Sequence, residues 1–210
     1  MRVSKFAATT LLFAASAAFG QVHVESPDAG ETVPTHQPTT GSSPLLLITG
    51  VIDALPAGFD ADLFCIHIDD PSIFSATGVS LFDTQLFLFD MAGFGVVAND
   101  DGTFIGSPGI LPLGSVTTPG DYLIAISSFD YDPTSAGGLI FPSTPFTGVF
   151  GPTGPGGGGA LTGFTGGGGG IGAYAIELTG ASPCGAVIPL PSAGLMGLAG
   201  MGLVGLRRRR

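Results

Sequence analysis

Thr84-Gln85-Leu86-Phe87-Leu88-Phe89-Asp90 decides the fold. Leu86 and Leu88 fall on one face of an extended strand, Phe87 and Phe89 on the other, and no Pro or Gly interrupts them. Successive strand side chains point to opposite faces, so this segment needs apolar cover on both sides and predicts a central strand. Its neighbours carry the same signal. Gly95 to Asn99 reads as a short strand after a turn at Gly93, and Leu45 to Asp53 as an earlier one. Asp62 to Asp69 sets Phe64, Ile66 and Ile68 against Leu63, Cys65 and His67. Gly120-Asp121 opens a strand with Tyr122, Ile124 and Ile126 inward. Ala173 to Thr179 sets Tyr174, Ile176 and Leu178 against Ala175, Glu177 and Thr179. No stretch between these shows helical periodicity with caps. Short strands separated by Gly, Pro, Asn and Asp turns predict an all-β fold, an antiparallel, jelly-roll-like β-sandwich over residues 45–180.

Two segments fit this pattern poorly. Pro133 to Thr153 carries Pro and Gly too often for a central strand. Residues 151–171 are glycine-rich and read as a flexible surface loop, without the Lys of a phosphate loop. Residues 21–44, with four prolines and many Ser and Thr, read as an extended, poorly ordered leader.

Of 210 residues, six are Lys or Arg and 16 are Asp or Glu. The basic ones are Arg2, Lys5 and Arg207 to Arg210, whereas every carboxylate lies between Phe6 and Leu206. The body is therefore a polyanion with no Lys or Arg to pair its acids. Such a surface cannot neutralise phosphates, which excludes nucleic acid as a partner.

The ends read as addresses. Arg2 and Lys5, the apolar run Phe6 to Phe19 and the small residues Ala18 and Gly20 make residues 1–20 a signal peptide, cut by signal peptidase between Gly20 and Gln21, with Ala17 as a second candidate position. At the other end, residues 181–191 form a linker ending in Pro189-Leu190-Pro191. Residues 192–210 form a short hydrophobic helix closed by Arg207, Arg208, Arg209 and Arg210. The 15 apolar residues would span about 22 Å of a roughly 30 Å hydrocarbon core, and five glycines weaken the helix. That suits transient inner-membrane insertion with the basic cluster cytoplasmic, and export of the body to the cell surface or beyond. An ordinary C-terminal anchor is the other reading.

This tripartite tail resembles the PEP-CTERM sorting signal of bacteria that carry an exosortase, with Leu190 where the family has Glu. The resemblance implies cutting near the proline motif by an exosortase-type enzyme, and an association with exopolysaccharide. The body resembles the bacterial pre-peptidase C-terminal domain. The motifs are Asp60-Ala61-Asp62-Leu63-Phe64, Phe82-Asp83-Thr84 running on to Asp90, Asn99-Asp100-Asp101, Pro119-Gly120-Asp121-Tyr122-Leu123, and Gly172-Ala173-Tyr174-Ala175-Ile176. That resemblance implies a non-catalytic β-sandwich used for binding or display.

Catalytic signatures are missing from the sequence. His67 is the one histidine within residues 45–180, lying near Asp69, and no metal-protease helix motif, paired-cysteine motif or nucleophile elbow is present. We expect no catalytic residue and no required cofactor. The function expected is a non-enzymatic exported surface or matrix protein. The alternatives are an extracellular carbohydrate- or polymer-binding module and the accessory domain of a secreted hydrolase. Two cysteines in an exported chain allow one intramolecular disulfide, Cys65 to Cys184, with Cys65 on the outward, solvent-facing side of its strand by alternation; free thiols or an intermolecular bridge are the other possibilities. Asp60, Asp62, Asn99, Asp100, Asp101, Asp130 and Asp132 sit at strand ends and turns. They are either solvated turn residues or oxygen ligands for a divalent cation, calcium being the one the extracellular space supplies.

Overall fold

A computed structural model describes residues 20–41, 44–53 and 59–184. The signal segment up to residue 19, the Pro189-Leu190-Pro191 motif, the hydrophobic tail and Arg207 to Arg210 lie outside the described residues. Among the described residues the chain is all-β, with one 3₁₀ turn (Val33–Thr35), and no helix is long and apolar enough to cross a membrane.

The strands in chain order are β1 (Gln21–Val24), β2 (Gln37–Pro38), β3 (Leu45–Ile52), β4 (Ala61–Ile68), β5 (Ser75–Ser80), β6 (Thr84–Asp90), β7 (Gly95–Asn99) and β8 (Ile110–Leu111). They continue with β9 (Gly120–Ser128), β10 (Tyr131–Ser135), β11 (Gly138–Leu139), β12 (Val149–Phe150), β13 (Gly163–Gly166), β14 (Gly172–Thr179) and β15 (Ala181–Pro183). One sheet runs β1-β3-β14-β5-β8. A second runs β12-β7-β6-β9-β4-β15, with β2 also on β4. A small third sheet runs β11-β10-β13.

The period-two patterns place the core. Ile48 and Ile52 of β3 and Ile176 and Leu178 of β14 meet Phe64, Ile66 and Ile68 of β4, Leu86 and Leu88 of β6, and Ile124 and Ile126 of β9 in one buried cluster shared by the two large sheets. Burying each such side chain fully contributes about 1.5–3 kcal/mol. The opposite face of the second sheet is apolar as well. Leu63 and Cys65, Phe87 and Phe89, and Leu123 and Ala125 pack under Ile140, Phe141 and Leu161, with Val33 and Phe164 alongside. This second core explains why β6 reads as a strand covered on both sides, and β4 and β9 share the arrangement.

Four expectations differ from the structure. The leader is not a loose tail: β1 pairs parallel with β3 and β2 parallel with β4, covering strand edges whose backbone groups would otherwise lack partners. The sheets are consequently mixed rather than antiparallel. The glycine-rich segment holds β13 and buries Leu161. Its backbone amides bond to Ile140, Leu139, Asp130 and Phe129 carbonyls at 2.8–3.0 Å, because residues without side chains can lie directly on neighbouring backbone. Residues 181–183, read as linker, form β15 on β4. The chain crosses from one large sheet to the other at Gly180, whose φ of +67° favours glycine and whose carbonyl accepts the Asp69 amide. The Pro133 to Thr153 region does contain only short strands, with Pro133 inside β10.

Candidate functional site

Strand register, more than spacing, brings the carboxylates together. In the β6–β7 hairpin Leu86 lies opposite Asn99. Running back from Leu86 and forward from Asn99 sets Asp83 beside Asp100 and Asp101, with one carboxylate oxygen of each within 4.8 Å of the others. The loop after β7 is wound around Asp101. Its amide donates to the Phe146 carbonyl at 2.9 Å, and its Oδ1 accepts the Gly106 and Ser107 amides at 2.6 and 3.2 Å. Asn99 is consumed in the same scaffold. Its Nδ2 donates to the Asp101 and Gly148 carbonyls at 3.1 and 3.0 Å, and its Oδ1 accepts the Ile110 amide at 2.7 Å. Gly109 closes the loop where a Cβ would sit 2.5 Å from the Asn99 carbonyl. By contrast, Asp83 Oδ1 and Asp100 Oδ1 are buried with no hydrogen-bond partner among the described residues. Burial, then Asp101, Asp83, Asp132 and Asp130, push the Asp100 pKa up to about 8; burial and Asp101 push Asp83 up to about 6.

Asp130 and Asp132 do not join this group. Asp130 is an exposed turn residue at φ +61°, and Asp132 Oδ1 accepts the Gln85 side-chain amide at 2.9 Å. Burial still raises the pKa of Asp132.

Asp62, on β4, meets two acids from the leader. Glu25, Asp28 and Asp62 each place an oxygen within 4.8 Å of the others. Glu25 accepts the Ala29 and Val51 amides at 2.8 and 2.9 Å, and Asp62 Oδ2 accepts the Tyr174 hydroxyl at 2.7 Å. Asp62 Oδ1, in a residue with 0% exposure, has no partner among the described residues. Burial and the charges of Glu25, Asp60 and Asp28 push Asp62 up to about 9 against the Tyr174 bond. Asp60 accepts the Asp53 amide at 3.2 Å and is pushed up to about 6, mainly by burial. Glu25 thus receives a backbone donor at each oxygen, and burial favours the protonated form of Asp62. Asp83, Glu25 and Asp28 went unmarked in the sequence; for Asp83 the signal was its place in the hairpin, three residues before Leu86.

His67 has Asp121 as its partner, Nδ1 to Oδ1 at 2.6 Å, not Asp69. Cross-strand pairing lines up Ser182, His67 and Asp121, a row suggestive of nucleophilic chemistry. Ser182 Oγ donates to Asp69 at 3.0 Å instead, so the bond between nucleophile and base is not made. His23 bonds to the Gln37 side chain at 2.8 Å with its ring edge-on to Phe64, and His36 donates to the Val33 carbonyl at 2.6 Å.

Cys65 and Cys184 are joined, their Cα atoms 5.4 Å apart. Cys65 does not face solvent as expected. It lies in the second core at 0% exposure, because the face opposite Phe64 is covered too. Thr39 braces the link, donating from Oγ1 to the Cys65 carbonyl at 2.6 Å and accepting the Cys184 amide at 3.1 Å. On the outside of the first sheet, Val22 and Leu46, each about half exposed, line a shallow depression of about 470 Å³ together with Ser75, Thr77 and Glu177. No aromatic ring lines it. Neither a protein-family model nor a curated protein matches the chain.

Proposed function

We propose that the chain is a non-enzymatic exported protein of the cell surface or extracellular matrix. Signal peptidase cuts it after Gly20, and an exosortase-type enzyme sorts it at Pro189-Leu190-Pro191 and releases it from transient membrane anchoring. Its two large sheets form a jelly-roll-like sandwich of the pre-peptidase C-terminal kind, displayed next to exopolysaccharide. The observation that carries this reading is the position of the Cys65–Cys184 link. Disulfides persist in oxidising, exported environments. This one ties down the chain just before the sorting motif and holds it to β4 in the interior. A cut beyond Cys184 would therefore leave β14 and β15 clamped to the body. The start of β1 at Gln21, the expected first residue of the mature chain, supports the same boundaries.

Intact-mass analysis of protein recovered from the cell surface tests the proposal. The mature species should begin at Gln21, end near Pro189 to Pro191 and carry one internal disulfide. Retention of Arg207 to Arg210 would overturn exosortase sorting in favour of a permanent anchor. Selective binding on a glycan array would favour the polymer-binding module.

A further inference from the structure

We infer that Asp83, Asp100 and Asp101 form a calcium site at the open end of the β6–β7 hairpin. Three carboxylates converge there without a Lys or Arg anywhere between Phe6 and Leu206 to balance them. An acidic group alone would not carry the inference, since exposed acids are ordinarily satisfied by water. The second observation is Asp100 itself. It is only 9% exposed, its Oδ1 is buried with no donor among the described residues, and one of its carboxylate oxygens lies within 4.8 Å of an oxygen of each of the other two acids. A buried carboxylate without donors loses the solvation of its charge, and an ion coordinated by its oxygens restores it.

The donor set favours calcium. Calcium–oxygen distances are about 2.3–2.6 Å, so two oxygens on one ion lie no more than about 5 Å apart. The observed convergence within 4.8 Å meets that condition. Asp101 has committed Oδ1 to the Gly106 and Ser107 amides, which fixes its position and leaves Oδ2 for an ion. Asp83 is half-buried and opens the group to solvent, so water completes the six to eight oxygens calcium takes. Magnesium demands a stricter octahedron and sheds water reluctantly, so it should bind more weakly. The Glu25, Asp28 and Asp62 group differs, because both Glu25 oxygens there already accept backbone amides, whereas Asp101 commits only Oδ1.

Binding does not depend on the export reading, although occupancy in the cell does, because extracellular calcium is high enough to fill weak sites. Calorimetric titration of the full-length chain in non-ionic detergent with calcium chloride should give one site. Asp100→Asn and Asp83→Asn should each lower the affinity at least tenfold. Thermal melting should show calcium raising the wild-type Tm by about 3–10 °C over chelator at matched ionic strength. The rise should be lost in Asp100→Asn, kept in Asp62→Asn, and smaller with magnesium. Unchanged affinity in both Asp100→Asn and Asp83→Asn would overturn the assignment. So would a wild-type shift no larger than sodium chloride produces at the same ionic strength, which means screening of self-repulsion alone.

Discussion

Replacing Asp62 by Asn should stabilise the protein at neutral and alkaline pH, an unusual result for a fully buried polar residue. Asp62 has 0% exposure and faces Glu25, Asp28 and Asp60, with the Tyr174 hydroxyl its one side-chain donor among the described residues. Its pKa stands at about 9, against 3.8 for an ordinary aspartate. A carboxyl group with a raised folded-state pKa binds its proton more tightly when folded. Its contribution is fully present below the unfolded pKa and is lost as pH rises through the window up to about 9. At pH 7 roughly three pH units separate the solution from the unfolded pKa, a penalty of about 4 kcal/mol. That figure is an upper limit, because local opening and water entry relieve buried charge. Against a total stability of roughly 5–15 kcal/mol it is large. Asn keeps a side-chain oxygen for Tyr174 and never ionises. Thermal melts of wild type and Asp62→Asn should therefore converge near pH 4 and separate progressively by pH 8. The variant should be higher there by up to about 10–15 °C, with chelator present and ionic strength constant. Parallel curves across that range, or a variant less stable at pH 8, would refute the reasoning. Either result would mean that Asp62 is ionised in the fold and stabilised by donors this structure does not supply.

Two further expectations concern covalent and backbone constraints. The Cys65–Cys184 link closes a sequence separation of 119 residues, which in the chain-entropy model contributes about 5 kcal/mol. A Cys65→Ser, Cys184→Ser double variant should unfold at markedly lower guanidinium concentration, and non-reducing peptide mapping of the wild type should recover the two cysteines in one linked pair. Gly180→Ala should cost about 1–2 kcal/mol in urea unfolding, since φ is +67° and a Cβ would lie 2.9 Å from the Asp70 carbonyl; a neutral result would mean the turn relaxes freely.

Where a feature depends on one segment alone, the sequence carried it. The alternations in β4, β6, β9 and β14 appear on the predicted faces because side-chain direction in a strand follows from position. β6, apolar on both faces, required a second core, and one is present. That core was not itself legible, because its cover comes from Ile140, Phe141 and Leu161, in segments whose Pro and Gly content suggested irregular chain. Composition measures the freedom of an isolated segment, whereas the amides of Gly154 and Gly156 are held by carbonyls of Ile140 and Leu139. The leader shows the same limit. Gln21-Val22-His23-Val24 is too short to announce a strand, and only the free edge of β3 gives it a partner.

The acidic residues carry the argument furthest. Asp60/Asp62, Asp100/Asp101 and Asp130/Asp132 look alike as close pairs, but their surroundings diverge. Asp132 receives a side-chain amide and Asp101 two backbone amides, while Asp100 receives no donor at Oδ1. Local spacing cannot distinguish them, because what decides whether a carboxylate needs a cation is the set of donors that distant strands deliver. For Asp100 the register of Leu86 against Asn99 brings another acid, Asp83, alongside. A chain without Lys or Arg in its body has no side-chain cation other than His to put there. Its buried acids must take up protons, the direction in which burial pushes Asp62, or draw cations from outside, and the two groups differ in that backbone amides occupy both oxygens of Glu25 but only Oδ1 of Asp101.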